Sequence, residues 1–246
     1  KELKKNKNFY FKKIDLENNI KIENIFKNNK IKIVIHLAAQ AGVRDSLKIP
    51  SSYFKSNFSG FINIINASNK NNVEKFIFAS SSSVYGDKKK FPLKETMNIF
   101  PRNIYSATKK INEDIANDIS RISNMKIIGL RFFTLYGKYG RPDMFVFKFL
   151  NALINKKKFY LYNKGNHYRD YTHIDDAVNI IFGLIKKKIS RNFEVFNICS
   201  NNPIDLNKLV KFISKSVNMD PKIIKKKRNK IEVLKTHGDN KKILNY

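Results

Sequence analysis

Tyr105 and Lys109 stand at positions i and i+4 of the stretch "YSATK". On a helix such a pair shares one face, so the ammonium can lie beside the phenol. A free phenol titrates near pH 10, and a neighbouring cation favours the phenolate, which makes a tyrosine usable as a base near neutral pH. Ser81 lies 24 positions earlier, inside "FIFASSSSVYG" (76–86). A serine, a tyrosine and a lysine together are the equipment for moving a proton from a sugar hydroxyl while a cofactor takes the hydride. Tyrosine and lysine are both abundant in this chain, so the spacing alone also fits chance. Its weight comes from its place, at the start of a helix that follows a strand-end cluster of serines.

The elements that must position these groups are readable from hydrophobic pattern. Phe76, Ile77, Phe78 and Ala79 form a continuous apolar run, as expected of a strand covered on both faces. Ser80 to Ser83 then emerge at the carboxyl edge of a sheet, where open α/β sheets bind ligands. The same hydroxyls also suit a plain polar turn. "KIVIHLAA" (32–39), "VEKFIFAS", "MKIIGLRFF" and "FEVFNI" read as strands. "SSYFKSNFSGFINIINASNK" reads as a helix, with its leading Ser-Ser placed to cap it. "YSATKKINEDIANDISRIS" is helical by the spacing of Ile111, Ile115, Ile119 and Ile122, and "DMFVFKFLNALINKKK" and "DLNKLVKFISKSV" follow as helices. Strand and helix alternate as βαβαβ, which predicts a parallel sheet with helices on both faces.

Composition narrows the class. The chain has 246 residues, 42% of them hydrophobic, enough for one large core or two small ones. No run approaches the roughly 18 apolar residues of a membrane span, and the first residues lack the apolar core of a signal peptide, so a soluble cytoplasmic protein is the expectation. Cys199, the single cysteine, has no metal-ligand spacing around it and reads as a small buried apolar residue; no metal is expected. Lys+Arg 49 against Asp+Glu 20 gives a net charge of +29. That could mark a nucleic-acid binder. The lysines are instead scattered in short clusters beside asparagines and isoleucines, the pattern of an AT-rich genome, and no nucleic-acid motif accompanies them.

Seven segments in order carry a resemblance: "HLAAQAGVRDS" (36–46), "SNFSG" (56–60), "FIFASSSSVYG", "YSATK", "LRFFTLYGKYGRPDM" (130–144), "GNHYRDYTHIDDA" (165–177) and "FNICS" (196–200). Together they resemble the extended short-chain dehydrogenases/reductases, the NAD-dependent epimerase/dehydratase family, and within it "AAQAGVR" and "RFFTLYGKYGRPDM" look most like UDP-glucuronate 4-epimerases. The resemblance implies an α/β fold, a Rossmann-like doubly wound parallel sheet, with a smaller carboxyl-terminal substrate-binding region. Residues 1–135 and 170–199 would form the NAD-binding part, and 136–169 and 200–246 the substrate-binding region. The family's opening strand, GxxGxxG turn and helix, which hold the cofactor pyrophosphate, have no counterpart in this sequence, so an amino-terminal truncation of roughly 60 residues, two βα units, is expected.

Carried over by position, the resemblance implies Ser81, Tyr105 and Lys109 as the catalytic set, with Tyr105 and Lys109 also touching NAD. Asp15 and Leu16 would flank the adenine. Leu37, Ala38, Ala39 and Gln40 would line the cofactor, with Asn57 and Phe133 also touching it. Ser82, Ser83 and Thr134 would donate to a hexuronate carboxylate, and Arg44, Arg141 and Arg169 would meet the carboxylate or diphosphate, since guanidinium forks suit both. Arg228 or Asn229 falls at the place of the family's late substrate arginine. Arg131 and His36 read as structural, and Asp170, Asp175 and Asp176 as a helix-start cluster. The implied reaction is C4 epimerisation of a UDP-sugar, UDP-glucuronate before UDP-glucose or UDP-N-acetylglucosamine, by a homodimer. Dehydratases of the family commonly carry an Asp-Glu pair where this chain has Ser82-Ser83. A non-catalytic relative binding nucleotide or nucleic acid is the alternative of another class.

Overall fold

The computed structural model describes residues 3–227 and 233–246. In chain order its elements are α1 (Asn19–Lys27), β1 (Ile33–His36), α2 (Asp45–Lys48), α3 (Pro50–Tyr53), α4 (Gly60–Lys70), β2 (Lys75–Ser81), α5 (Ile104–Ile122), β3 (Lys126–Phe132), β4 (Thr134–Tyr136), α6 (Phe145–Ile154), β5 (Lys158–Tyr162), β6 (Tyr168–His173), α7 (Ile174–Lys186), β7 (Phe193–Ile198), β8 (Pro203–Asp205), α8 (Leu206–Ser216), β9 (Lys222–Lys226) and α9 (Lys241–Leu244).

β1, β2, β3 and β7 pair side by side in that order, all parallel. Successive side chains of a strand point to opposite faces, so one apolar run feeds two cores. Phe76 and Phe78 pack with Ile22 and Phe26 of α1, Phe61 and Ile65 of α4 and Ala116 of α5. Ile77 faces the other way, into a core with Ile128, Leu130, Ala177 and Leu184 of α7, Phe196 and Ile198, against which Ile243 of α9 packs. The sheet is therefore covered on both faces, the α/β arrangement that the alternating pattern predicts. A second region gathers β4, β6 and β8 into a three-stranded sheet and β5 with β9 into a parallel pair. There Phe149 and Leu153 of α6 pack with Val210 and Ile213 of α8.

Two local features differ from the sequence expectation. Ser51 and Ser52 do not cap their helix; they lie inside α3, whose first residue is Pro50 and whose N-cap Ile49 makes no side-chain bond. Proline fits the first helical position because its fixed φ is already helical and its missing N–H needs no partner there. A π-helical stretch, Phe54–Ser59, then joins α3 to α4 and includes the buried Asn57. Asp170 does not start a helix. It lies in β6, fully buried, and accepts hydrogen bonds from the Ser200 N–H (2.9 Å), the Ser200 hydroxyl (2.7 Å) and the Gly238 N–H (3.0 Å). Three donors make a buried carboxylate tolerable, so Asp170 fastens the carboxyl-terminal segment to the end of β7. Asp175 and Asp176 do occupy the first turn of α7. No helix among the described residues is long and apolar enough to cross a membrane.

Candidate active site

The carboxyl end of β2 and the start of α5 form the centre of the site. Asn103 and Ser106 close a reciprocal capping box: the Asn103 side chain accepts from the Ser106 N–H at 2.9 Å, and the Ser106 hydroxyl accepts from the Asn103 N–H at 3.2 Å. Such a box satisfies two otherwise orphaned donors and fixes where the helix begins. It places Tyr105 in the first turn and Lys109 one turn further on. Across from them, Ser81 ends β2, and its oxygen accepts from the Ser83 N–H (3.2 Å) and the Ser83 hydroxyl (2.9 Å), holding the single 3₁₀ turn Ser82–Tyr85.

The Tyr105 phenol lies close enough to the Ser81 side chain for that hydroxyl to act on its ionisation. Burial raises its pKa above the ordinary value, while the nearby Ser81 hydroxyl and the charge of Arg141 pull it down. Lys109 is 2% exposed, its ammonium donates to the Ala79 carbonyl at 2.7 Å, and burial pushes its pKa down to about 8. The sequence reading makes Lys109 the cation acting on the phenol; here the cation that acts on Tyr105 is Arg141, because the Lys109 head is drawn down to the strand backbone. Arg141 itself makes a bidentate pair with Asp143 (2.9 and 2.5 Å) and lines a cleft with Thr134, Tyr136 and Tyr171. Tyr53 meets the Tyr105 ring edge-on at 6.3 Å and ties its own hydroxyl to the Ala41 and Gly42 carbonyls. The chain pattern does not single out Tyr53, since its contact with Tyr105 is set by the packing of α3 on α5.

The remaining sequence candidates divide between open and occupied positions. Leu37, Ala38 and Gln40 are exposed and Ala39 half-buried just beyond β1, a strip of small and apolar surface at a carboxyl strand edge. Asn57 is 1% exposed: it grips Gln40 through both backbone groups (2.7 and 3.0 Å) and donates to the Thr108 hydroxyl at 3.1 Å. Phe133 is likewise buried, against Val84, Tyr85, Leu93 and Cys199. Leu16 packs on Gly60, and Asp15 accepts from the Glu17 N–H in a local turn. The Ser83 hydroxyl is committed to Ser81, whereas Ser82 and Thr134 are half-buried. Arg169 spends its fork on the Tyr168, Val233 and Leu234 carbonyls, making it a clamp on the carboxyl-terminal segment. Arg44 lies over the Tyr162 ring at 5.3 Å. Arg228 and Asn229 lie outside the described residues.

His36 and Arg131 are structural, as their positions in apolar strands suggest. The His36 imidazole packs between Phe61 and Phe76, and burial with the Lys109 charge pushes its pKa down to about 4. Cys199 is buried, and its thiol is pushed up by burial. Among the described residues no group of three His, Cys, Asp or Glu side chains could hold a metal ion.

A dinucleotide finds partial accommodation here: the open strip at Leu37–Gln40 beside the Tyr105–Lys109 pair suits its reactive half, while no glycine-rich turn for a pyrophosphate occurs in the sequence. A parallel sheet with its polar site at the carboxyl strand ends defines a Rossmann-like fold. Residues 1–199 match the family described as NAD dependent epimerase/dehydratase, and the chain belongs to that family. It is 40% identical over 230 residues to Protein CapI of Staphylococcus aureus, covering 87% of this chain and 69% of that protein. It is 34% identical over 250 residues to the UDP-glucuronate 4-epimerase of Thermodesulfobacterium geofontis, covering 100% of this chain and 76% of that enzyme. Among solved structures, the UDP-glucuronic acid 4-epimerase of Bacillus cereus in complex with UDP-glucuronic acid and NAD superposes with a TM-score of 0.93 at 27% identity, over 99% of this chain and 77% of that one.

Proposed function

We propose that the protein epimerises a UDP-sugar at C4, with UDP-glucuronate as substrate and UDP-galacturonate as product. The observation that carries this reading is the placement of the Tyr105 phenol near the Ser81 hydroxyl and Arg141, with Lys109 one turn along the same helix. The sheet-bearing part, 1–135 with 170–199, would hold NAD, and 136–169 with 200–246 the UDP-sugar. NAD when bound supplies the acceptor and donor of hydride at C4. The Tyr105 oxygen takes the proton of the C4 hydroxyl as the sugar becomes a 4-keto species, and returns it when the carbonyl is reduced from the opposite face. Ser81 hydrogen-bonds the reacting oxygen. Lys109 holds the cofactor side of the site, and Arg141 favours the phenolate.

The uronate preference rests on hydroxyl donors. A carboxylate enclosed near the reacting carbon needs several partners. Ser82 and Thr134 offer hydroxyls, and Arg141 offers charge. A neutral hydroxymethyl group would leave these donors partly unused, and a site built for hydrogen bonding discriminates against such an analogue. The expected preference for UDP-glucuronate over UDP-glucose is at least about tenfold in kcat/KM, roughly 1.4 kcal/mol. Tyr105→Phe should lower turnover about a hundredfold or more with UDP-sugar binding kept, and Ser82→Ala with Thr134→Ala should shrink the substrate ratio. Turnover of Tyr105→Phe within threefold of the parent, or a parent that prefers UDP-glucose, overturns the corresponding part.

A further inference from the structure

Just below the strand ends, the parallel register sets Ser80, Arg131 and Asn197 in one row across β2, β3 and β7. All three are buried, at 3%, 5% and 0% exposure. Residues in one row of a parallel sheet share a face, and here α5 lays Glu113 onto it. Glu113 accepts from the Ser80 hydroxyl and binds Arg131 through two bonds, from Nε at 2.9 Å and from Nη2 at 2.7 Å. Arg131 also donates to the Tyr85 hydroxyl at 2.9 Å, which donates in turn to the Asn197 side chain at 2.7 Å. Nothing in the proposed reaction uses this network.

Its position explains it. α5 grips two successive residues of β2, with Lys109 on the Ala79 carbonyl and Glu113 on the Ser80 hydroxyl, and brings the Tyr105 phenol near the next, Ser81. The capping box sets where the helix begins but not how far along the sheet it sits. Each residue of helix rises about 1.5 Å, so a slip by one residue would part the phenol from Ser81. A bidentate Arg–carboxylate pair is directional enough to prevent that slip. We propose that Glu113 and Arg131 are a positioning pair that locks the helix in register with β2 and so holds the Tyr105 phenol beside Ser81. This rests on the reading of Tyr105 as the proton acceptor.

The groups that face the Tyr105 phenol are Ser81 from β2, Tyr53 from α3 and Arg141, paired with Asp143, from the loop after β4; Lys109 shares its helix. A hydrogen bond to the phenolate favours ionisation, so losing Ser81 raises the titration midpoint, whereas losing a nearby anion such as Glu113 lowers it. The two roles for Glu113 therefore differ in sign. A fluorinated tyrosine placed at position 105, acidic enough to titrate where the fold persists, reports the midpoint by ¹⁹F NMR without any turnover.

Glu113→Leu with Arg131→Met removes the pair with no change in net charge and no stranded ion, so the fold is expected to survive. Its midpoint should rise by about one unit, a tenfold loss of acidity, with an unfolding midpoint near the parent's. Glu113→Gln should also raise it, against the direction of the lost charge, and Ser80→Ala, which removes one hydroxyl, should give a smaller rise and decides the matter where the other two variants fail to fold. An unchanged or lowered midpoint overturns the proposal. If Tyr105→Phe keeps its turnover, the reading of the base fails instead, and the titration still reports whether the pair positions the helix.

Discussion

A buried imidazole at the end of β1 makes stability depend on acid. His36 has its folded pKa lowered from 6.5 to about 4 by burial between aromatic rings and by the Lys109 charge. Between those two values the unfolded chain binds a proton that the folded protein refuses. The contribution is thus whole above pH 6.5, falls as pH drops and is gone below about 4, the reverse of a histidine that gains an anionic partner. The integrated effect is about 3 kcal/mol. His36→Leu should flatten this dependence, so the loss of urea stability between pH 7 and pH 4.5 should be smaller in the variant than in the parent; equal losses would mean that the imidazole is not the group titrating. The sequence shows His36 only as a polar residue ending an apolar strand, and its burial there follows. Arg141 was legible as a guanidinium but not as the cation acting on Tyr105, because that pairing is made by a loop far along the chain.

Elements were legible where period or composition marked them, and obscure where lysine and asparagine did structural jobs. Helix α5 announced itself by isoleucine spacing, yet its cap, Asn103, is one asparagine among many, and the π-helical stretch around Asn57 leaves no mark in hydrophobic pattern. Lys75 is the clearest case. It sits in "VEKFIF" like any other lysine of this basic chain, but its ammonium is buried at the end of α7 and donates to the Leu184, Ile185 and Lys187 carbonyls at 2.7, 2.8 and 2.8 Å. Those carbonyls have no partner within their own helix, and a cation there also complements the negative end of the helix dipole. Lys75→Met keeps most of the stem and removes the charge, so it should cost about 2 kcal/mol. Lys188→Met, at an exposed position two residues after α7 and lacking those bonds, should cost little. Equal denaturation midpoints for the two variants would count against the capping role.

At the scale of the whole molecule, two properties oppose each other. Among the described residues nothing pairs with the outer edge of β1, and Ile35 within it and Leu37 just after it are 41% and 51% exposed. An unpaired strand with apolar neighbours is a template for another chain. The net charge of +29 works against that, because like-charged molecules repel. Salt decides which prevails: the screening length shrinks from about 8 Å at physiological ionic strength to about 3 Å at 1 M, while contact between apolar edges is little weakened. The 246-residue polypeptide should therefore self-associate more as salt rises, in a concentration-dependent way visible by light scattering. Ile35→Lys, which places a charge on the edge, should shift the onset to higher protein concentration. Association through captured nucleic acid would behave in the opposite manner, dissolving as counterions compete for the phosphates. Complexes that disperse in high salt would thus move the explanation from the sheet edge to the basic surface.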